Sequence, residues 1–249
     1  MKFRTTLLLY LLSFSLANAQ NLVLNGSFEE TKKCPKATGF NFKKLKGQIK
    51  TINGSPDYYN SCGSYSVNIP YNILGYQEAY NGSAYCGLVL TTQALSECEA
   101  REFIQLKLTE PLINGYKYDV SFFINLANTS GYYTDQVGIY FSNIDLSKKK
   151  TIKPYLGKQQ INNTTNNFLN DTVNWTEISS TYNAKGNENY IVIGIEGYVE
   201  NIYDKGIGYH KFNENTLKKY LETIKQNNKN KKIIILSHSP PKNTLDLAI

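Results

Sequence analysis

Tyr116-Lys-Tyr-Asp-Val-Ser-Phe-Phe-Ile-Asn-Leu126 decides the fold class. Its even positions are Tyr116, Tyr118, Val120, Phe122, Ile124 and Leu126, all apolar or aromatic, and its odd positions include Lys117, Asp119, Ser121 and Asn125. Side chains alternate across a strand, so this period of two predicts a strand with one face buried and one face wet. Pro111-Leu-Ile-Asn-Gly115 just before it supplies a turn. Residues 103–108 and 137–141 alternate in the same way, and residues 190–195 are apolar on both faces, as a central strand requires. Loops rich in Asn, Gly and Ser separate these runs, notably 53–64 and 158–174. Short strands joined by such loops predict an all-β sandwich or jelly roll.

Outward from this region, the N-terminus has the parts of a secretion signal. Lys2 and Arg4 precede an apolar run from Leu7 to Leu16, and Ala17-Asn18-Ala19 forms an A-x-A cleavage site. Residues 1–19 are therefore expected to be removed, leaving Gln20 first in a chain that is secreted, periplasmic or held at the cell surface. The run is too short to span a bilayer, and no later stretch predicts a transmembrane segment. The net charge of +7 is unevenly placed. Residues 205–249 hold nine Lys against three acids, a net of +6, and the signal adds +2, so residues 20–204 come to about −1. The basic residues thus belong to a solvated tail, and no basic face with aromatic or Arg readers argues for a nucleic-acid partner.

The cysteines are Cys34, Cys62, Cys86 and Cys98. An even number in an exported chain favours disulfides over a metal site, and no C-x-x-C spacing suggests zinc. Three pairings are possible. Cys34–Cys62 and Cys86–Cys98 are the favoured ones, since each brackets one loop-rich stretch.

Asn21-Leu-Val-Leu-Asn-Gly-Ser-Phe-Glu-Glu30 resembles the first strand of galactose-binding-like jelly-roll domains, the carbohydrate-binding-module-like modules of Bacteroidetes-type surface proteins. Ser55-Pro-Asp-Tyr-Tyr-Asn-Ser-Cys62, Gly75-Tyr-Gln-Glu-Ala79 with Gly82-Ser-Ala-Tyr85, Arg101-Glu-Phe-Ile-Gln105 and Trp175-Thr-Glu-Ile-Ser179 resemble further segments of the same modules. The likeness covers roughly residues 21–200. It implies a binding module over residues 20–204 and a structural calcium held with Glu29. Such modules close with a strand beside the first one. No matching segment occurs, so the expectation is a jelly roll lacking its closing strand, with an open edge beside Leu22–Leu24.

After Tyr203 the pattern changes. Phe212 and Asn213 form a staple and N-cap, and Leu217, Tyr220, Leu221 and Ile224 make a helical stripe. Ile233-Ile-Ile-Leu236 is a fully apolar strand. Together they predict a short C-terminal α/β segment over residues 205–249. Lys232-Ile-Ile-Ile-Leu-Ser-His-Ser-Pro-Pro241, followed by Asp246, resembles one metal-binding segment of calcineurin-like metallophosphoesterases. That resemblance implies a vestigial metal ligand at His238. The D-x-H, G-D, G-N-H and G-H-x-H motifs that would complete a pair of divalent metals do not occur.

Two functions follow as expectations. The first is a non-catalytic exported module for glycan or another cell-surface component. It would bind through tyrosines in or beside polar loops: Tyr58, Tyr59, Tyr76, Tyr132 and Tyr133. Aromatic faces suit the C–H groups of sugar rings, and neighbouring amides and carboxylates suit their hydroxyls. Trp175, in a strand-like stretch, is expected in the core. The alternative is a fragment of a secreted metallophosphoesterase, with divalent metals only in that case; a fusion of two unrelated pieces is a third account of the tail.

Overall fold

A computed structural model describes residues 21–39, 42–92, 101–148, 159–164, 166–195, 202–204 and 244–248. Its strands are β1 (Lys50–Asn53), β2 (Asp57–Asn60), β3 (Tyr71–Asn72), β4 (Gly75–Tyr76), β5 (Ala84–Thr92), β6 (Phe103–Lys107) and β7 (Lys117–Leu126). They continue with β8 (Tyr132–Thr134), β9 (Gly138–Ser142), β10 (Ile161–Asn162), β11 (Thr176–Asn183), β12 (Tyr190–Gly194), β13 (Ile202–Asp204) and β14 (Thr244–Ala248). Two five-stranded antiparallel sheets run in the orders β1-β6-β12-β9-β10 and β11-β7-β14-β5-β2. The all-β expectation is met.

One core lies between the sheets. Phe122, Ile124 and Leu126 of β7 enter it, as the alternation predicts, with Cys86, Leu88 and Leu90 of β5 and Ile178 and Tyr182 of β11. Ile104, Leu106, Ile139, Phe141, Ile191 and Ile193 meet them from the other sheet. Each fully buried Leu or Ile is worth roughly 1.5–3 kcal/mol over exposure. The strand β12 is apolar on both faces for a reason seen here. It is central, between β6 and β9, and Val192 on its outer face is covered by Ile52, Phe103 and Leu146. The loop carrying Leu146 is pinned by a polar knot. Buried Gln105 donates to Asp145 Oδ1 at 2.8 Å and accepts from the Leu146 amide, while Lys50 Nζ bonds Asp145 Oδ2 at 2.6 Å. Burial would raise the Asp145 pKa, but hydrogen bonds from Lys50, Ser147 and Gln105 outweigh it and hold the carboxyl well below its ordinary value.

The stretch from Asn21 to Glu30 is chiefly a turn. Asn25, at φ 52°, accepts from the Glu30 amide and donates to the Glu30 and Lys46 carbonyls. A short polar side chain tolerates this left-handed backbone better than most. Val23 bridges Leu108, and the Leu24 amide donates to the Lys107 carbonyl, so this segment extends the β6 side of the first sheet.

The sheets correct two expectations. The second sheet is not left for residues 20–204 to complete. Thr244–Ala248 of the tail forms β14, its middle strand, with Leu247 opposite both Leu88 and Leu126 in register. The vacancy is filled between β5 and β7, not beside Leu22–Leu24. Leu245-Asp246-Leu247-Ala248 has the alternation of a strand in such a sheet, which the uniformly apolar 233–236 stretch lacks. The expected helix, the 233–236 strand and His238 lie outside the described residues. The second correction concerns the thiols. The solvent-exposed Cys34–Cys62 disulfide forms, with Cα atoms 5.5 Å apart, but Cys86 is a free thiol in the core. On β5, opposite Tyr58, Cys86 is wholly enclosed; burial pushes its thiol pKa well up, with the Asp57 charge adding to this. Cys98 lies outside the described residues.

Candidate functional site

The five predicted tyrosines divide by burial. Residues 57–60 are not a loop but β2, zipped to β5, and both Tyr58 and Tyr59 are 0% exposed. Tyr58 faces the core, where its hydroxyl donates to the Phe28 carbonyl and accepts from Asn60 Nδ2. Burial pushes its phenol pKa up to about 12. Tyr59 points to the opposite face of the sheet and packs on Tyr85 at a ring separation of 5.2 Å. Tyr132 and Tyr133 on β8 are half-buried against the core, with Tyr133 edge-on to Phe168. Tyr76 alone of the five is exposed, at 43%.

Tyr76 stands on a shelf over the outer face of the second sheet. The shelf begins with the β3–β4 hairpin, in which Tyr71 pairs with Tyr76 and their rings meet edge-to-face at 4.8 Å. Gly75 makes the hairpin possible. Its φ is +128°, and a Cβ there would strike the Asn128 side chain, which accepts from the Tyr76 amide at 2.6 Å. Residues 77–80 then run as a strap across the sheet. The Glu78 carbonyl accepts from Trp175 Nε1 at 2.9 Å, and Gln77 Nε2 donates to the Glu78 and Val173 carbonyls. Tyr80 lies flat on Phe123 of β7, rings stacked at 3.6 Å, yet is 55% exposed. A third component, the 171–175 loop, is closed by Asp171, whose carboxylate accepts from the Val173 and Asn174 amides; those bonds lower its pKa. Asn125 and Asn128 tie this loop to the end of β7 through the carbonyls of Asp171, Asn174 and Thr172.

Beneath the shelf Tyr59, Val67, Ile69 and Tyr85 form a separate apolar cluster, with Leu74, Ala79 and Trp175 packed against it. The Tyr76 and Tyr80 rings are thus held on a stiff base and presented to solvent. Between them in sequence is Glu78, whose Oε1 accepts from the Tyr76 hydroxyl at 2.9 Å. This hydrogen bond, with the carboxylate charge, raises the Tyr76 phenol pKa. The arrangement offers two aromatic faces and an acceptor carboxylate. A small recess beside Tyr76, lined by Asn72, Gln77, Tyr85 and Asn128, adds amide groups at its edge.

Sequence reasoning missed Tyr71, Tyr80 and Glu78 as candidate site residues; Trp175, expected in the core, is half-buried against the cluster of Tyr59, Val67, Ile69 and Tyr85. The Gly75-Tyr-Gln-Glu-Ala-Tyr80 spacing was the available signal: two tyrosines four apart around an acid in a stretch without β alternation. Glu29, the residue the resemblance offers for calcium, has a local partner. Its Oε1 accepts from the Ser83 amide at 2.8 Å, closing the Gly82 turn. Among the described residues no three His, Cys, Asp or Glu side chains are grouped so as to hold a metal ion. Among the same residues no helix is long and apolar enough to cross a membrane. No family model, curated protein or solved structure matches this chain.

Proposed function

We propose that this chain is an exported, non-catalytic module of galactose-binding-like jelly-roll type, and that it binds glycan at a cell surface through the Tyr76–Tyr80 shelf. The observation that carries this reading is the pair of exposed rings on a rigid base. Tyr76 is fixed by its bond to Glu78 and its contact with Tyr71, and Tyr80 by its stack on Phe123. Rings already held in place lose little conformational freedom on binding, which is what a weak, face-on sugar contact needs. The two-sheet architecture and the export signal support the same reading.

Retention of the full chain on insoluble polysaccharides, measured by pull-down, tests it. Tyr76→Ala and Tyr80→Ala should each lower retention at least fivefold without a change in melting temperature above a few degrees. Tyr133→Ala, on half-buried β8, should act through stability instead. Undiminished retention by the Tyr76→Ala, Tyr80→Ala double variant would remove the shelf from the proposal.

A further inference from the structure

Resting on the glycan reading, we propose that the shelf selects glycans without anionic groups: neutral or amine-bearing chains, and not uronic, sulfated or phosphate-bearing ones. The argument is one of charge placement. The shelf is built from parts of three stretches, residues 51–100, 118–147 and 159–184, and none of these contains a single Lys, Arg or His. This holds in a chain whose net charge is +7. Among the described residues, the charged side chains on or beside the shelf are carboxylates. Glu78, between Tyr76 and Tyr80 in sequence, is bonded to the Tyr76 hydroxyl, Asp171 closes the flanking loop, and Glu177 is opposite Phe123, the ring under Tyr80, in the β7–β11 register.

A carboxylate accepts hydrogen bonds and donates none. Glu78 therefore rewards hydroxyl or ammonium groups and opposes a ligand carboxylate or sulfate at the same place. No cation of the three stretches that build the shelf offsets that repulsion. Glu78 is exposed, so the effect is screened by salt and is largest at low ionic strength.

The chain supplies its own reporter. Trp175 is its one tryptophan, and its indole N–H is bonded to the Glu78 carbonyl within the shelf. Trp175 fluorescence of the full chain would be titrated with neutral xylo- and gluco-oligosaccharides, chitosan oligomers and oligogalacturonate, at low and high salt. At least one neutral or amine-bearing series should saturate the signal. Oligogalacturonate should bind at least about tenfold more weakly at low salt, with the gap shrinking as salt rises. Glu78→Gln, which retains an acceptor for the Tyr76 hydroxyl, should raise the ratio of acidic to neutral affinity. Oligogalacturonate that titrates Trp175 as tightly as the neutral series overturns the selectivity. Retention on polysaccharide with no Trp175 response to any oligosaccharide overturns the assignment to this shelf. No binding by either measurement removes the glycan reading itself, and this inference with it.

Discussion

Single side chains at the ends of strands hold much of this fold together. Glu102 is the clearest case. It is 7% exposed, and its two carboxylate oxygens accept from the Ser55 amide at 2.6 Å and the Val89 amide at 2.8 Å, joining the β1–β2 loop to β5. Its neighbour Gly54, at φ +62°, leaves no room for a Cβ against that carboxylate. Glu102→Ala leaves two amides without their acceptor, and the expected loss is about 2–4 kcal/mol in a urea denaturation series. Asp145 gives a pH signature. Its folded pKa is depressed, so its contribution is present above its ordinary value of 3.8 and is lost as pH falls further. The stability gap between the native chain and Asp145→Asn should be widest near neutrality and close as pH drops from about 4 toward 2. An equal gap at both ends of that range, measured by thermal melts, would refute the assignment.

Among the elements, β14 carries the most consequence. It pairs with β5 from Thr244 to Ala248 and with β7 at Leu247 and Ala248. Removing a middle strand leaves two rows of backbone donors and acceptors facing each other across a gap one strand wide, with the core open below. A chain ending at Asp204 should lose cooperative unfolding or fall at least about 3 kcal/mol in stability. In the full chain, hydrogen exchange should find the 244–248 amides as protected as their β5 partners, Leu88 and Val89. Fast exchange at 244–248 beside slow exchange at β5 would show that the strand is not seated. The β3–β4 hairpin works differently. It contributes little pairing of its own, and what it does is set Tyr71 against Tyr76 at the sheet's outer face.

At the scale of the whole molecule, one core joins both sheets and one disulfide fastens the N-terminal turn region to β2. Cys34–Cys62 spans a sequence separation of 28. In the chain-entropy model a loop of that size is worth about 3–4 kcal/mol, so reduction should lower the denaturation midpoint of the entire chain. Cys86 behaves oppositely. Enclosed and held protonated by burial, it should stay unreactive to a thiol reagent in the native state and react fully in denaturant. Rapid modification of Cys86 without denaturant would contradict the core placement.

The alternation at 116–126, the turn at 111–115 and the local Cys34–Cys62 pair were legible in the amino-acid order. Each depends on segments near one another in sequence: strand periodicity repeats every two residues, and a loop of this length costs less entropy to close than a longer one. The site was legible only in part. Tyr76 could be picked out, but Tyr58 and Tyr59 read the same way, because a tyrosine beside Asn and Ser looks alike whether its strand is covered or bare. Burial of Tyr59 is decided by residues 67–79 and Trp175 folding over that face, and burial of Tyr58 by the opposite sheet. The free state of Cys86 follows from the strand face it occupies, and the place of Thr244–Ala248 from a slot between β5 and β7. The last of these rests on pairing between segments more than a hundred residues apart, with Leu247 in register with Leu126 and Leu88. Local pattern carries no information about such pairings; only the packed sheets do.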